Sequence, residues 1–490
     1  MTKPEPKRTT ARSIVPFVVV FTLTVLLPRL MIFPVVGLGA DEAAYGIIGR
    51  EVLAGHWPYT TAFDHKPAAL YYPYALSQAV FGASTASLRC LSLVVAVLSF
   101  VLAYLICRRL GLGGWGAALL SGVYALMCVG SDGLAALSEP TLNLYVLGLL
   151  LVLTYRPTFW RGAVFGLLMA VAINTNYLIG PVLVIPGLYF LVAGRKAKMA
   201  WAGGFIAFLV GCLVILLPVF LFSNITNYFE LQRTFLSVYD KAPVWWPKTL
   251  RRVEGFLAPT LAVLLVPITA LVLGAPRSRQ VKVTAWSVVF LVVSIATACY
   301  NQFFYAHYAI IIAPAALVIA VIAVRRYDGA ARSITLPSVV LAVAVWAMVV
   351  PELPRLLKGA EVARAQLSLG PDRSAPEIEV AQAVRRVVEP GDVIYTMDVH
   401  DYFLTGAGLP TKFFFPSQHL KESNAAAMNS TPAAEVRAIL AQRPRAIVMR
   451  VSPAWPESVS GLVDEYVRDR CRLSAQVQDQ EISVYACPSP

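Results

Sequence analysis

The chain of 490 residues is 58% hydrophobic and only 14% charged, which is more apolar surface than a soluble protein of this size can bury. This composition excludes a soluble enzyme and indicates a polytopic α-helical membrane protein. The formal net charge of +13 comes from short basic clusters between apolar segments, a distribution typical of membrane-topology signals, and it does not indicate nucleic-acid binding.

The chain begins with a predicted cytoplasmic tail, residues 1–13, and continues as a predicted membrane domain, residues 14–352. Apolar segments of roughly 20 residues predict about 11 transmembrane helices. They lie near residues 14–38, 87–107, 115–131, 140–155, 161–175, 177–194, 200–222, 255–274, 283–300, 304–324 and 333–351.

Short loops that carry basic residues alternate along the chain with short loops that carry none. Short loops at 132–139, 174–176 and 301–303 contain no Lys or Arg, whereas the intervening loops collect the basic clusters. The positive-inside rule therefore places the N-terminus in the cytoplasm and the C-terminal segment outside.

Two of the loops expected outside are long, residues 41–86 and residues 223–254. Loops of this length over a helical bundle are usually functional. We expect each to contain a short helix along the membrane surface, because Trp245 and Trp246 beside Lys248 are an amphipathic mixture that settles among lipid headgroups.

The composition changes at residue 353, after which charges are frequent and no spanning segment occurs. Apolar runs at Val393–Met397 and Ala446–Val451 predict strands, and periodic patterns at 377–388, 432–442 and 457–469 predict helices. Residues 353–490 are therefore predicted to form a small extracytoplasmic α/β domain.

Cys471 and Cys487 are the two cysteines outside apolar segments. They frame Leu473–Tyr485, a predicted hairpin that turns near Asp479 and Gln480 and would bring the two cysteines opposite each other. Because an extracytoplasmic segment is exposed to oxidation, we predict a disulfide bond between them.

Five short motifs lie in or beside the predicted outer loops. They are Asp41-Glu42-Ala43-Ala44-Tyr45, Gly55-His56-Trp57-Pro58-Tyr59, Asp64-His65-Lys66-Pro67 followed by Tyr71-Tyr72, Ser138-Glu139-Pro140, and Ala306-His307-Tyr308. Their order, and the many spans followed by an outer α/β domain, resemble the C-type (GT-C) glycosyltransferases. The most similar branches are bacterial aminoarabinose transferases, protein O-mannosyltransferases and rhizobial galacturonosyltransferases.

The resemblance implies a GT-C fold and an inverting transfer of a sugar from a polyprenyl phosphate. The acceptor hydroxyl then needs a base, and a carboxylate opposite the leaving phosphate gives inversion. By resemblance Asp41 is the general base. Glu42 would orient Asp41, bind sugar hydroxyls or face water, and Glu139 would be a second acidic position near the acceptor or the sugar.

The leaving phosphate needs a cation rather than a strong acid, and the resemblance assigns this role to Lys66, with His307 as a second phosphate contact. Further candidate substrate-binding residues are Tyr45, His65, Tyr71 and Tyr308. Whether a divalent metal takes part stays open, with His65 and His307 as its candidate ligands. The implied partners are a polyprenyl-phosphate-sugar donor, a lipid, glycan or protein acceptor and the bilayer of a bacterial inner membrane.

Each of these residues also has an ordinary structural interpretation. Asp41 is then an interfacial carboxylate or helix cap, and Ser138 caps a helix that has Pro140 in its first turn. Arg29 resembles a recurrent Arg of the family but would equally cap loop carbonyls. The chain departs from the family at Ala44 and Asn176, where many relatives carry a basic residue, so the identity of the donor sugar does not carry over.

Two other functions are compatible with a polytopic membrane protein. A transporter or flippase of a lipid-linked saccharide would place ionisable residues near the middle of the bilayer and often shows internal repeats. The predicted spans are almost free of charge, which favours chemistry at the membrane surface. A membrane-anchored binding protein ranks last, because residues 355–490 contain no recognisable site motif.

Overall fold

The structure is a computed structural model that describes residues 14–35, 39–193, 197–223, 281–300, 304–327, 350–367, 376–389, 391–450, 457–477 and 481–488, with scattered positions between 229 and 265. The predicted tail 1–13, nearly all of the predicted span 333–351, and most of the outer loop 223–254 and of the span 255–274 lie outside these residues.

Up to residue 367 the regular secondary structure of the described chain is helical. The helices are α1 (Ile14–Ile32), α2 (Ala40–Leu53), α3 (Tyr71–Phe81), α4 (Thr85–Arg109), α5 (Gly114–Val129), α6 (Ser138–Leu153), α7 (Phe159–Ile173), α8 (Gly180–Ala193), α9 (Lys198–Phe222), α10 (Val281–Cys299), α11 (Ala313–Tyr327) and α12 (Leu353–Leu367). A 3-10 turn, Ala306–Ile312, leads into α11, and a single π turn, Thr22–Leu26, interrupts α1.

Four helical stretches are long and apolar enough to cross a membrane, and these are α1, α4, α9 and Ala306–Val324. Five shorter apolar helices accompany them, and each of these nine stretches coincides with a predicted span. Helix α9 keeps its apolar side chains largely exposed, as at Phe205 (65%) and Val214 (64%), which is the surface expected of a helix that faces lipid. The prediction of a polytopic helical membrane protein is confirmed, and the full number of 11 spans stays a prediction.

The described chain divides into two compact units, each made of separate segments. The first comprises Met1–Phe33, Ser92–Cys212 and Trp245–Glu361 as far as they are described. In it, α7 crosses the first half of α9 in backbone contact, since a Cβ atom at Gly162 would lie 1.9 Å from the carbonyl oxygen of Ala200. Small residues at such crossings let membrane helices approach closely, which compensates for the weak hydrophobic drive between helices in lipid.

The second unit comprises Pro34–Leu91, Leu213–Val244 and Val362–Pro490, again within the described residues. Two glycines let α2 pack closely. A Cβ atom at Gly49 would lie 2.8 Å from the Cβ of Tyr74 on α3, and one at Gly46 would lie 2.7 Å from the ring of Phe403. Helix α2, in the first of the loops predicted to lie outside, therefore packs directly against the C-terminal segment.

That C-terminal segment contains a small sheet with helices around it. Its elements are α13 (Pro376–Arg385), β1 (Ile394–Thr396), α14 (Val399–Thr405), α15 (Pro416–Leu420), α16 (Glu422–Ala427), α17 (Pro432–Ala441), β2 (Ala446–Arg450), α18 (Glu457–Arg470), β3 (Arg472–Val477) and β4 (Ile482–Ala486). The strand order is β1-β2-β4-β3, with β1 parallel to β2 and the other neighbours antiparallel. The two predicted strands and three predicted helices of this segment are confirmed.

The antiparallel strands β3 and β4 form the predicted hairpin, with Gln476 opposite Ser483. Cys471 precedes β3 and Cys487 follows β4, and the structure joins them in a disulfide bond with their Cα atoms 4.2 Å apart. Residues 478–480, where the turn was predicted, lie outside the described residues. The boundaries of the predicted outer domain, residues 353–490, stay a prediction.

Candidate active site

Asp41 and Glu42 occupy the first turn of α2, directly after the extended backbone of Gly39. The unpaired N–H groups and the positive dipole end of a helix stabilise carboxylates at this position. The two side chains differ in environment. Asp41 is half-buried, whereas Glu42 is 2% exposed.

Glu42 is held by Arg89, which lies near the start of α4. Nη1 of Arg89 is 2.5 Å from Oε1 of Glu42, and both side chains are 2% exposed. Nη2 of Arg89 donates to the carbonyl of Val35 at 3.0 Å. This buried pair fixes the first turn of α2 to α4 and to the chain that precedes α2. The 2% exposure of Glu42 does not fit the interpretation that it faces water, and its other two roles, orienting Asp41 and binding sugar hydroxyls, stay predictions.

Arg89 was not among the predicted site residues, because it falls within the predicted apolar span 87–107. A signal was present, since an Arg inside a predicted span is costly unless it finds an acidic partner. The sequence did not say which carboxylate that would be, because Glu42 is 47 positions away.

The motif Asp64-His65-Lys66 forms a loop ordered around the Asp64 carboxylate. It accepts the backbone N–H of His65 at 2.7 Å and the hydroxyl of Tyr71 at 3.1 Å, and Nδ1 of His65 is 2.9 Å away. Burial raises the pKa of Asp64, but the charge and hydrogen bond of His65 and the charge of Lys66 lower it more, so its pKa lies below the ordinary value. Asp64 is therefore an ionised anchor of the loop.

Lys66 is brought to the helix that carries Asp41. Its backbone carbonyl accepts the hydroxyls of Tyr59 and Tyr71 at 2.7 and 3.1 Å, and its side chain is largely buried. Its Nζ lies 5.1 Å from the ring centroid of Tyr45. Because Asp41 and Tyr45 are four residues apart on α2, they share one face of the helix. Asp41 and the ring that Lys66 contacts therefore lie on the same side of α2, one helical turn apart along its sequence.

Tyr45 and Tyr71 are packing residues of this site as well as candidate substrate contacts. Both are fully buried, their ring centroids are 6.2 Å apart, and Tyr74 lies 5.6 Å from Tyr45. His65 is more accessible, with 23% of its side chain exposed.

The first compact unit contains the other predicted residues. Glu139 is 1% exposed and accepts the hydroxyl of Ser138 at 2.8 Å, and Nδ2 of Asn176 lies 3.5 Å from the same oxygen. The interpretation of Ser138 as a helix cap is wrong. Helix α6 begins at Ser138 and Leu137 holds the cap position, while the Ser138 hydroxyl donates to the Glu139 carboxylate.

His307 lies on the 3-10 turn before α11, between two aromatic rings. Its ring stacks on Tyr305 with centroids 5.3 Å apart, and the ring of Tyr308 lies 4.8 Å away edge-on. Arg252 places its guanidinium 4.7 Å from the Tyr305 centroid, a second cation that was not predicted as a site residue. This cluster combines an imidazole with a fixed positive charge, which suits contact with an anion.

Two open points concern Arg29 and metal binding. Nη2 of Arg29 donates to the carbonyl of Gly133 at 3.1 Å, so the interpretation of Arg29 as a cap for loop carbonyls fits its geometry. Within the part of the chain that the structure describes, no group of three His, Cys, Asp or Glu side chains is arranged to hold a metal ion.

No protein-family model and no curated protein matches the chain. Among solved structures, two crystal structures of ArnT from Cupriavidus metallidurans resemble it over nearly its whole length. The form bound to undecaprenyl phosphate has 16% sequence identity and a TM-score of 0.60, with 97% of this chain and 98% of that chain covered. The apo form has the same identity and coverage and a TM-score of 0.53.

At this identity the likeness establishes the fold alone. This chain has the fold of the ArnT crystal structures, which is the fold that the resemblance to the C-type glycosyltransferases predicted.

Proposed function

We propose that this chain is an inverting glycosyltransferase that moves a sugar from a polyprenyl-phosphate donor to a cell-envelope acceptor at the outer face of the bacterial inner membrane. The observation that carries the proposal is the contact of Lys66 with Tyr45, whose helix carries Asp41 one turn earlier. The half-buried Asp41 and the ring that the largely buried Lys66 contacts lie on one face of α2, in a chain whose fold matches ArnT. The ArnT structure bound to undecaprenyl phosphate supports a polyprenyl carrier.

In the proposed reaction, Asp41 takes the proton of the acceptor hydroxyl as its oxygen bonds to C1 of the sugar. The bond from C1 to the phosphate oxygen breaks, and its electron pair leaves with the polyprenyl phosphate. Lys66 stabilises the charge that develops on that phosphate. Attack from the side opposite the phosphate inverts the configuration at C1.

The remaining residues have supporting roles in the proposal. Glu42 holds the first turn of α2 through Arg89, and Glu139 binds the sugar or the acceptor through a carboxylate fixed by Ser138. His307, stacked on Tyr305, is a second contact for the donor phosphate. The acceptor class is lipid A, a core oligosaccharide, another glycan or a protein.

The test is transfer by the purified full-length protein in lipid nanodiscs, measured by mass spectrometry of the product. Candidate donors are chosen by comparing the masses of surface glycolipids from cells with and without the chain. Asp41→Asn is expected to lose roughly two to four powers of ten in rate, because it removes the base and keeps its shape. The matched control is Glu422→Gln, an exposed carboxylate in the first turn of α16. Near-normal activity of Asp41→Asn would indicate that Glu42 or Glu139 is the general base instead.

The same purified protein distinguishes a transferase from a flippase. A flippase reorients a labelled lipid-linked saccharide across the bilayer without changing its covalent structure. A new glycosidic bond in the product supports the transferase, and reorientation without any product supports the flippase.

A further inference from the structure

We infer that the C-terminal segment is part of the catalytic machinery, because it positions the helix that carries Asp41 and the loop that carries Lys66. It does so at two points, Arg50 and Phe63, which together we call the clamp. This inference rests on the proposed function and adds positioning residues that the motifs did not identify.

The first point of the clamp is a fork of hydrogen bonds from α2. Nη1 of Arg50 donates to the carbonyl of Tyr402 at 3.2 Å, and Nη2 donates to the carbonyl of Ala407 at 3.3 Å. The Tyr402 carbonyl also accepts the N–H of Gly406, the left-handed residue that ends α14. Only a planar guanidinium reaches both carbonyls at once.

The guanidinium of Arg50 is partly withdrawn from water. Burial lowers the pKa of Arg50, and the charge of Glu51 only partly offsets this. The two carbonyls supply hydrogen-bond partners in place of the lost water. Gly46, one turn earlier, admits the Phe403 ring against the same face of α2.

The second point of the clamp lies immediately before the Asp64-His65-Lys66 loop. The N–H of Phe63 donates to the carbonyl of Lys412 at 2.7 Å, and the carbonyl of Phe63 accepts Nε2 of Gln418 at 3.1 Å. The Phe63 ring packs edge-on against Phe413 with centroids 5.5 Å apart. Both backbone groups of Phe63 are therefore bonded to the C-terminal segment, which fixes where the loop begins.

Neither point touches the reacting groups. Arg50 follows Asp41 by nine residues, about 13.5 Å along a helix axis. Arg50 acts on catalysis by setting the direction of α2, and a misplacement of about 1 Å at a reacting group can lower a rate a hundredfold. Gln418 acts on the donor by setting the start of the loop that presents Lys66.

The chain offers a matched control for each point. Arg385 on α13 donates to the carbonyl of Leu404, so Arg385→Ala removes an Arg–carbonyl bond to the same helix α14 without involving α2. Gln442 donates to the carbonyl of Pro410 at 2.5 Å, so Gln442→Ala removes a Gln–carbonyl bond that lies wholly within the C-terminal segment.

The experiment measures kcat and the KM for the lipid donor with full-length protein in nanodiscs. Arg50→Ala is expected to lower kcat about a hundredfold with little change in donor KM. Arg50→Lys, which keeps one donor, should recover part of that loss. Gln418→Ala is expected to raise donor KM with kcat little changed, because the loop that presents Lys66 to the donor is then less precisely placed. Arg385→Ala and Gln442→Ala should resemble the wild type in both constants.

Hydrogen exchange of the α2 amides provides a readout that does not depend on the reaction. Exchange should accelerate in Arg50→Ala and stay unchanged in Arg385→Ala. The inference is overturned if Arg50→Ala keeps wild-type kcat, or if both Arg variants lose activity equally. If Arg50→Ala fails to fold, Arg50→Lys carries the same test. A wild-type protein that transfers no sugar overturns the proposed function instead, and hydrogen exchange still decides whether the clamp exists.

Discussion

Lys66 combines a nearly buried ammonium with a short distance to the Tyr45 ring, 5.1 Å from Nζ to the centroid. A cation held on an aromatic face loses part of its hydration before a ligand arrives. A phosphate that binds this ammonium therefore displaces less water than it would from a fully hydrated one. The position of Lys66 suits the stabilisation of a leaving phosphate.

We predict that Lys66→Ala raises the KM for the lipid donor by about 10- to 100-fold, the effect expected for the loss of a charged hydrogen bond. Lys66→Arg should be less damaging, because it keeps the charge although its geometry differs. Initial rates at low donor concentration measure the effect. Equal rates for Lys66→Ala and the wild type would rule out the phosphate role.

Variants of the Glu42–Arg89 pair can show whether Glu42 has a structural or a chemical role. Removal of one partner of a buried ion pair leaves an uncompensated charge, at a cost of about 3–5 kcal/mol. We therefore predict that Arg89→Met lowers the melting temperature of the protein in detergent, and that the double variant Glu42→Gln/Arg89→Met recovers most of the loss.

The activity of that double variant decides the role of Glu42. If Glu42 only orients the first turn of α2, the recovered protein should transfer sugar within about one power of ten of the wild type, a far smaller loss than removal of a general base causes. A stable double variant with the deficit of Asp41→Asn would instead assign Glu42 to the reacting groups.

At the scale of elements, a charged network joins the ends of β1 and β2. Arg450, the last residue of β2, makes two hydrogen bonds to Asp401 at 2.6 and 3.0 Å and lies 3.3 Å from Asp398. Nδ1 of His400 is 2.8 Å from Asp398. Because β1 and β2 are parallel, the network fastens the two strands at their carboxyl ends.

His400 should make the stability of this region depend on pH. Burial lowers its pKa, but the hydrogen bond to Asp398 and the charges of Asp398, Glu377 and Asp401 raise it more, so its pKa lies above the ordinary 6.5. The resulting stabilisation is fully present below the pKa of the unfolded state, and it is lost as pH rises through the pKa of the folded state.

We therefore predict that His400→Gln removes part of the pH dependence of unfolding between about pH 6 and 8, near the ordinary range of His. Hydrogen exchange of the β1 and β2 amides across this range measures it. The same pH dependence in the variant and the wild type would contradict the assignment.

The elements show what a local pattern can specify. Nine apolar helices and the β3–β4 hairpin follow from hydropathy, length and alternation, because these signals lie within each segment. Helix α12 was not predicted, since its mixed sequence from Leu353 to Leu367 has no apolar run. Ser138 was misassigned because the cap preference of Ser is outweighed here by the carboxylate next to it.

The contacts that build the candidate site could not be predicted from local sequence patterns. The motifs identified Asp41 and Lys66 as chemical groups, but the pairing of Glu42 with Arg89 and of Arg50 with α14 joins distant positions. Such contacts depend on packing, where one Gly such as Gly46 decides whether two helices meet. The sequence therefore predicted candidate chemical groups but not the residues that hold them in place.

At the scale of the whole molecule, the Cys471–Cys487 bond bears on the side of the membrane that the C-terminal segment occupies. A disulfide forms and persists in the periplasm and is rare in the cytosol. We predict that non-reducing mass mapping of protein from intact cells finds the bridged peptide pair. A loop of about 15 residues closed in this way stabilises the segment by roughly 3 kcal/mol in the chain-entropy model. Two free thiols in cells would argue against an outer C-terminus.

The partners of the clamp are synthesised at different times because they lie far apart in the chain. Arg50 and Tyr402 are separated by 352 positions, so at the usual 5–20 residues per second α2 is translated roughly 20 to 70 seconds before its partner. Through that interval the surface of α2 at Gly46 lacks its partner, the ring of Phe403. A nonsense mutation late in the gene would spare membrane insertion of the early helices, yet it would leave the first-made part of the candidate active site without its support.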